Sequence, residues 1–181
     1  MFESEQREYT YADYSALPEG APYQLVRGFL VKHPSPTPYH QNLSGKIMFD
    51  LMEFVRDWRL GTVLAAPIDV YFGEHDIYQP DIIYIAAGRE EIIGDKKIEA
   101  PPDLVVEILS PSNAYYDLGH KRRIYESSGV REFWVIDPMD KSVEVYRNDG
   151  GRFIPFESAR ETGEARSYIL EGFILDLDRL F

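Results

Sequence analysis

Cysteine is absent from the 181 residues. That excludes disulfides, thiolate nucleophiles and cysteine-ligated metal sites, and makes the cytosol the expected compartment. No apolar run approaches the ~18 residues that cross a bilayer as a helix, so no membrane partner is expected. The first ten residues are acidic and polar, unlike a secretory leader. Positive charge is also short: 19 Lys and Arg stand against 31 Asp and Glu, a formal net charge of −12. Nucleic-acid binders are ordinarily basic, so this balance weighs against tight binding to bare phosphate backbone. The deficit is concentrated at the ends. Residues 1–20 carry one base and five acids, residues 157–181 three bases and six acids, and the middle 15 bases and 20 acids. An acidic site that loads a divalent cation would account for some of these carboxylates, and solubility for most.

What is present reads as an ordinary globular chain, 44% apolar and 28% charged. The length points to a single domain over residues 1–181, large enough to bury a core without staples. There is no repeat, low-complexity block or long linker, and the proline-rich stretch at 33–38 is a loop. Residues 10–17 read as a short helix with Thr10 as N-cap. Residues 23–32 read as a strand broken by a turn at Arg27-Gly28. Leu43, Ile47, Leu51, Phe54 and Trp58 recur every three or four residues, which predicts a long helix over 39–58 with one apolar face, on which His40 also lies. Strands are expected at 62–72, 78–85 and 104–109. The last is apolar on both faces except for Glu107, the pattern of a covered central strand. A helix follows over 112–128, capped by Ser112 or Asn113 and ended by Gly129. Strands at 132–136 and 142–147 flank an Asp137-Pro138 turn, and a last strand is expected at 168–175 before a short acidic terminal turn. This order gives an α/β or α+β domain with a mixed sheet and flanking helices.

Three residues stand apart from the core pattern. Asp81 follows Pro80 at the start of an apolar strand, Glu107 sits inside a second one, and Lys121 lies on the helix after it. A carboxylate in a buried run is costly unless it is paired or holds a cation. Two on adjacent strands can hold Mg²⁺ or Mn²⁺, which favour oxygen ligands. Four residues of strand from Glu107 to the turn span about 13 Å. Eight residues of helix from Asn113 to Lys121 span about 12 Å. If the helix folds back over the sheet, Lys121 comes level with Glu107. Asp117, one helical turn earlier, could pair with Lys121 or orient it. Two carboxylates, a cation and a lysine fit phosphodiester hydrolysis.

Plainer readings stand beside this one. A strand-edge aspartate is ordinarily a turn or cap residue, a helical lysine ordinarily pairs on a solvated face, and a histidine on an apolar face is ordinarily packed. The run His120-Lys121-Arg122-Arg123 could touch phosphate, but a charge run is usually a solvated helix face. Ser44-Gly45-Lys46 lacks the glycines of a phosphate loop, and no zinc-binding helix motif occurs. Ser110 lacks the glycines of a nucleophile elbow.

A family resemblance runs through the same residues. Pro80-Asp81-Ile82 is followed by Pro102-Asp103-Leu104-Val105-Val106-Glu107-Ile108-Leu109-Ser110-Pro111-Ser112. Tyr116-Asp117, Lys121 and Tyr125 come next, and then Gly129-Val130-Arg131-Glu132-Phe133-Trp134-Val135-Ile136-Asp137-Pro138. The whole resembles the Uma2 family, also called DUF820, of restriction-endonuclease-like proteins in the PD-(D/E)XK superfamily. The likeness runs from Tyr9 to Leu177. It implies a restriction endonuclease-like core with a mixed central sheet flanked by helices, and a cation site formed by Asp81, Glu107 and Ile108. The superfamily's usual lysine position, two residues after the acid, holds Leu109; the Uma2-like variant places the lysine on the next helix, which matches Lys121. Gln24 stands where the family often has glutamate, which would weaken a metal site by removing a charge. His40 stands where the family commonly has histidine.

The resulting expectation is a Mg²⁺- or Mn²⁺-dependent endonuclease. Asp81, Glu107 and Lys121 carry the chemistry, and Gln24, His40 and Asp117 line the site. DNA is expected over RNA by family analogy, and a homodimer is plausible for cutting two strands. Two alternatives belong to other classes: an inactive nuclease-fold interaction module, and a hydrolase of a small phosphorylated metabolite.

Overall fold

The computed structural model describes residues 8–32, 35–110 and 116–181, with side chains of the last stretch described from 118 onward. Helix α1 (Tyr11–Ser15) opens on a capping box in which Thr10 and Asp13 each accept from the other's main-chain N–H. Strands β1 (Tyr23–Val26) and β2 (Phe29–Lys32) form a hairpin whose turn residues Arg27 and Gly28 both have positive φ, 52° and 76°. A tight hairpin turn requires this. Helix α2 (Pro38–Trp58) begins with Pro38 in its first turn and Thr37 accepting from the His40 N–H at 3.2 Å. That cap fixes the turn on which His40 rides.

The remaining elements are β3 (Gly61–Ala65), β4 (Val70–Gly73), β5 (Asp76–Tyr78), β6 (Ile82–Ala86), β7 (Leu104–Ile108) and α3 (Tyr116–Ser127). They are followed by β8 (Glu132–Asp137), β9 (Ser142–Asn148), β10 (Phe153–Arg160), β11 (Glu164–Arg166), β12 (Ile174–Asp176) and α4 (Leu177–Leu180). A six-stranded sheet runs β10-β9-β8-β7-β6-β3, with β7 and β8 parallel and the other pairs antiparallel. A four-stranded antiparallel sheet, β2-β1-β5-β4, and the hairpin β11-β12 complete the architecture. The fold is therefore α+β, a central mixed sheet flanked by helices. Every residue of β7 is buried, as its two apolar faces require. One face of the sheet meets α2 through Leu43, Ile47, Leu51 and Val55, together with the C-terminal hairpin and α4. The other face, carrying Ile83, Val105 and Phe133, meets Tyr125 of α3 and Tyr78 of the smaller sheet. The Lys46 ammonium donates to the main-chain oxygens of Arg179 and Leu180 at 3.0 and 2.8 Å, tying α4 to α2. No helix among the described residues is long and apolar enough to cross a membrane.

Several sequence expectations need correcting. The strand expected at 62–72 is two, β3 and β4, in different sheets; Pro67 lies between them and cannot donate to a ladder. The strand expected at 78–85 divides likewise at Gln79-Pro80-Asp81 into β5 and β6. The last strand is only Ile174–Asp176, because the residues before it form the hairpin loop, in which Phe173 N–H donates to Leu170 O at 2.9 Å and Ser167 N–H to Phe173 O at 3.2 Å. Strand β10 was not anticipated; it is an edge strand containing Pro155 and a bulge between Pro155 and Glu157, which blur the alternation. On α2, Val55 rather than Trp58 completes the buried stripe, and Trp58 is 69% exposed. The expected cap at Ser112 or Asn113 lies outside the described residues.

Candidate active site

Glu107 shares the parity of Val105 along β7, so its side chain turns toward α3. There the Lys121 ammonium donates to both carboxylate oxygens, at 3.1 and 3.0 Å. One turn along the helix, the Tyr125 hydroxyl donates to Glu107 Oε1 at 2.6 Å. The three are almost wholly enclosed. Burial pushes the Glu107 carboxyl above its ordinary range; the Lys121 charge opposes this, and the negative charge of Asp81 adds to it. The lysine thus comes level with the acid, as the strand and helix lengths require.

Asp81 immediately precedes β6. Because Ile82 pairs with Val106 in the antiparallel β6-β7 ladder, Asp81 lies opposite Glu107 at the next rung. Its main chain is held by Ala66, whose N–H donates to Asp81 O at 2.9 Å. Its Oδ2 accepts the Ile108 N–H at 2.7 Å and lies 3.4 Å from His40 Nε2. The same nitrogen lies 3.1 Å from Ile108 O. Hydrogen bonding to Asp81 pushes the His40 imidazole above its ordinary pKa, against the effect of burial. His40 Nδ1 is buried without a hydrogen-bond partner.

Gln24 is buried at the edge of this arrangement, its Oε1 accepting the Gln79 N–H at 3.2 Å. Gln79 precedes Asp81 by two residues. The Gln79 side chain in turn donates to Asp69 at 2.8 Å. The Asp117 side chain lies outside the described residues. The basic run on α3 does not form one patch. Lys121 is engaged with Glu107, Arg122 lies 4.2 Å over the Tyr146 ring and donates to Phe153 O, and His120 Nε2 is 3.7 Å from Asp76.

Tyr125, four residues after Lys121 on one helix face, is a site residue that the sequence reading assigned no role, and that spacing is the signal for it. Two further buried acids serve the fold. Asp103 accepts from Ala86 N–H at 2.8 Å and pairs with Arg89 and Arg131 at 2.9 and 3.3 Å. Glu132 accepts the N–H groups of Tyr168 and Ile169 at 2.8 and 2.7 Å and the Trp134 indole N–H.

Asp81, Glu107 and the Ile108 carbonyl are oxygen donors of the kind a hard divalent cation takes, with both Glu107 oxygens engaged by Lys121 in this structure. Among the described residues, no group of three or more His, Asp or Glu could hold a metal by side chains alone. A bound ion would therefore draw on the main-chain oxygen, and on water, as well as on the two acids.

Residues 11–178 match the Uma2 family, described as "putative restriction endonuclease". Among solved structures, the chain is similar to "a putative nuclease belonging to DUF820" from Anabaena variabilis ATCC 29413, with TM-score 0.78 and 22% identity over 95% of this chain and 97% of that one. At that identity the likeness is one of fold. No curated protein matches the chain.

Proposed function

This chain belongs to the Uma2 family, and from that premise we propose that it is a divalent-metal-dependent endonuclease hydrolysing phosphodiester bonds of DNA. The observation that carries the reading is the convergence of Lys121 on Glu107 directly opposite Asp81.

Asp81, Glu107 and the Ile108 carbonyl would hold Mg²⁺ or Mn²⁺. When bound, the cation supplies Lewis-acid polarisation of the scissile phosphate and activation of water. The protein's own groups do the rest. Lys121 presents a fixed positive charge beside Glu107, where it can position the attacking water and offset charge developing on the phosphate. Tyr125 fixes the Glu107 carboxylate. Gln24 and Thr37 hold the segments that carry Asp81 and His40. Enclosure of the Glu107-Lys121 pair excludes bulk water and strengthens these interactions. A homodimer would present one such site to each strand of a duplex.

The test is cleavage of supercoiled plasmid and of labelled DNA and RNA oligonucleotides with Mg²⁺ or Mn²⁺, with chelator controls. Asp81→Asn, Glu107→Gln and Lys121→Ala are each expected to lose about a hundredfold or more in rate. A folded wild-type protein that leaves every nucleic acid intact with both cations overturns the reading.

The neutral amide of Gln24, buried on the Gln79 N–H, favours a second reading: a family member that retains the fold and binds partners without turnover. Cation binding without cleavage of any nucleic acid or small phosphate ester would support it.

A further inference from the structure

We propose that the outward face of α2 is a self-association surface whose partner is a second copy of this chain, the two helices crossing antiparallel about a two-fold axis level with Ile47. Residues three and four apart on a helix share a face. Asn42, Gly45, Phe49, Met52 and Arg56 form the exposed stripe opposite the buried one. Its centre is apolar: Phe49 is 64% exposed and Met52 45%. Beside Phe49 a groove of about 540 Å³ runs between α2 and α4, lined by Asn42, Gly45, Lys46, Arg179 and Leu180. A knob and a hole one helical turn apart suit an isologous pair, in which one patch meets its own copy. With the axis at Ile47, Phe49 of each copy lies over Gly45 of the other and enters its groove, and Met52 lies over Asn42.

The competing account is a scatter of exposed apolar side chains, which is common on monomers and calls for no partner. Two features set this face apart. The first is Gly45. Glycine is unfavourable within a helix, yet a Cβ at Gly45 would meet nothing within 4 Å. Nothing in the chain itself requires glycine there, whereas the close approach of a second backbone does. The second is charge. On the N-terminal side of Phe49 the face is cationic, with Lys46 and, from α4, Arg179. On the C-terminal side it is acidic, with Asp50 and Glu53. Arg56 and Asp57 neutralise each other at 3.0 Å. Among the described residues none of Lys46, Asp50, Glu53 and Arg179 is in an ion pair.

An antiparallel pairing sets the cations of one copy against the acids of the other, and a parallel one sets like against like. The two helix dipoles also run opposed when the helices are antiparallel. These local attractions act against the net charge of −12 on each copy, a long-range repulsion that physiological salt largely screens. One helix face makes a small interface, so micromolar association is expected. The inference rests on this surface and not on the chemistry proposed above.

The test is sedimentation velocity of the whole protein from about 1 to about 500 µM in about 0.15 M salt. Wild type is expected to show a monomer–dimer equilibrium with its midpoint inside that range. Phe49→Glu should weaken it about thirtyfold or more. Gly45→Leu fills the floor of the groove and should weaken it comparably. Met139→Glu, on the exposed turn between β8 and β9, should leave it unchanged. Arg179→Glu should weaken it about threefold, and adding Glu53→Arg should restore it. Circular dichroism checks that each variant is folded. Gly45→Leu replaces a poor helix former with a good one, so it decides should Phe49→Glu not fold. A wild type that is monomeric throughout overturns the proposal. A dimer that survives both Phe49→Glu and Gly45→Leu also overturns it, since the interface then lies elsewhere. So does one that Arg179→Glu leaves unweakened, since the opposed charges are then not in contact. Only mass is read, so a failure here is distinct from a failure to cut nucleic acid.

Discussion

The Lys121 ammonium and the Glu107 carboxylate form a two-pronged contact across the β7-α3 interface, both side chains being 10% exposed or less. An enclosed pair of this kind contributes little net stability when intact but is costly to halve, because the survivor is left charged and without its counterion. Lys121→Met is therefore expected to lower stability by about 3–5 kcal/mol. Glu107→Leu combined with Lys121→Met should recover most of that loss. Urea unfolding of the two single variants and the double variant checks this; a single-variant cost below about 1 kcal/mol would mean that the pair behaves as a surface contact.

Tyr125→Phe removes the hydroxyl that donates to Glu107 at 2.6 Å while leaving the ring against Phe72, Tyr78 and Phe133. A hydrogen bond to a charged acceptor contributes about 1.5–3 kcal/mol, and a loss in that range is expected by chemical denaturation. An unchanged midpoint would assign the residue to packing alone.

Glu132 predicts a pH dependence. Its carboxyl is fully buried and raised above the ordinary range, burial being the main cause. A folded-state pKa above the unfolded one means that the folded protein binds the proton more tightly. Stability should therefore fall as pH rises from about 4, the ordinary glutamate value, through the raised folded-state pKa, and level off beyond it. In Glu132→Gln the part of that slope due to Glu132 should disappear, leaving the part due to the likewise raised Glu107. The variant should also be less stable throughout, because an amide cannot accept from all three of Tyr168, Ile169 and Trp134. Thermal melts of both proteins between pH 4 and about 8 measure the difference.

Gly61→Ala is expected to cost about 3 kcal/mol or more. Gly61 begins β3 with φ +143°, and a Cβ there would lie 2.0 Å from the Ile85 carbonyl oxygen of the paired strand. The backbone must shift to admit it, so thermal unfolding should drop sharply. A mild effect would mean that the end of β3 is free to move.

The residues of the candidate site could be read from the chain for a definite physical reason. Glu107 interrupts a run that is otherwise apolar on both faces, and a buried charge there demands a partner. The strand and helix rises then placed Lys121 within reach. Pairing across the sheet was harder to read. Pro67 and Pro80 each divide an apolar run whose halves enter different sheets, and nothing local says which sheet receives which half. Glu132 and Asp103 carry no local signal of their roles, because their partners come from distant segments, 36 and 17 residues away for Tyr168 and Ala86. His40 could be placed beside the site, but not its partner, since the ring meets Ile108 across 68 residues of sequence.

The parallel pairing of β7 with β8 carries a consequence for how the molecule comes together. Parallel neighbours cannot be joined by a hairpin, so the chain must loop out through α3 before β8 can dock. The acid on β7 and the base on α3 therefore meet at a tertiary closure rather than within a local unit. Until that closure the newly made chain holds a solvated glutamate and a solvated lysine, apart from each other. On this topology the buried ion pair is therefore a late product of folding, made only when α3 has packed onto the sheet.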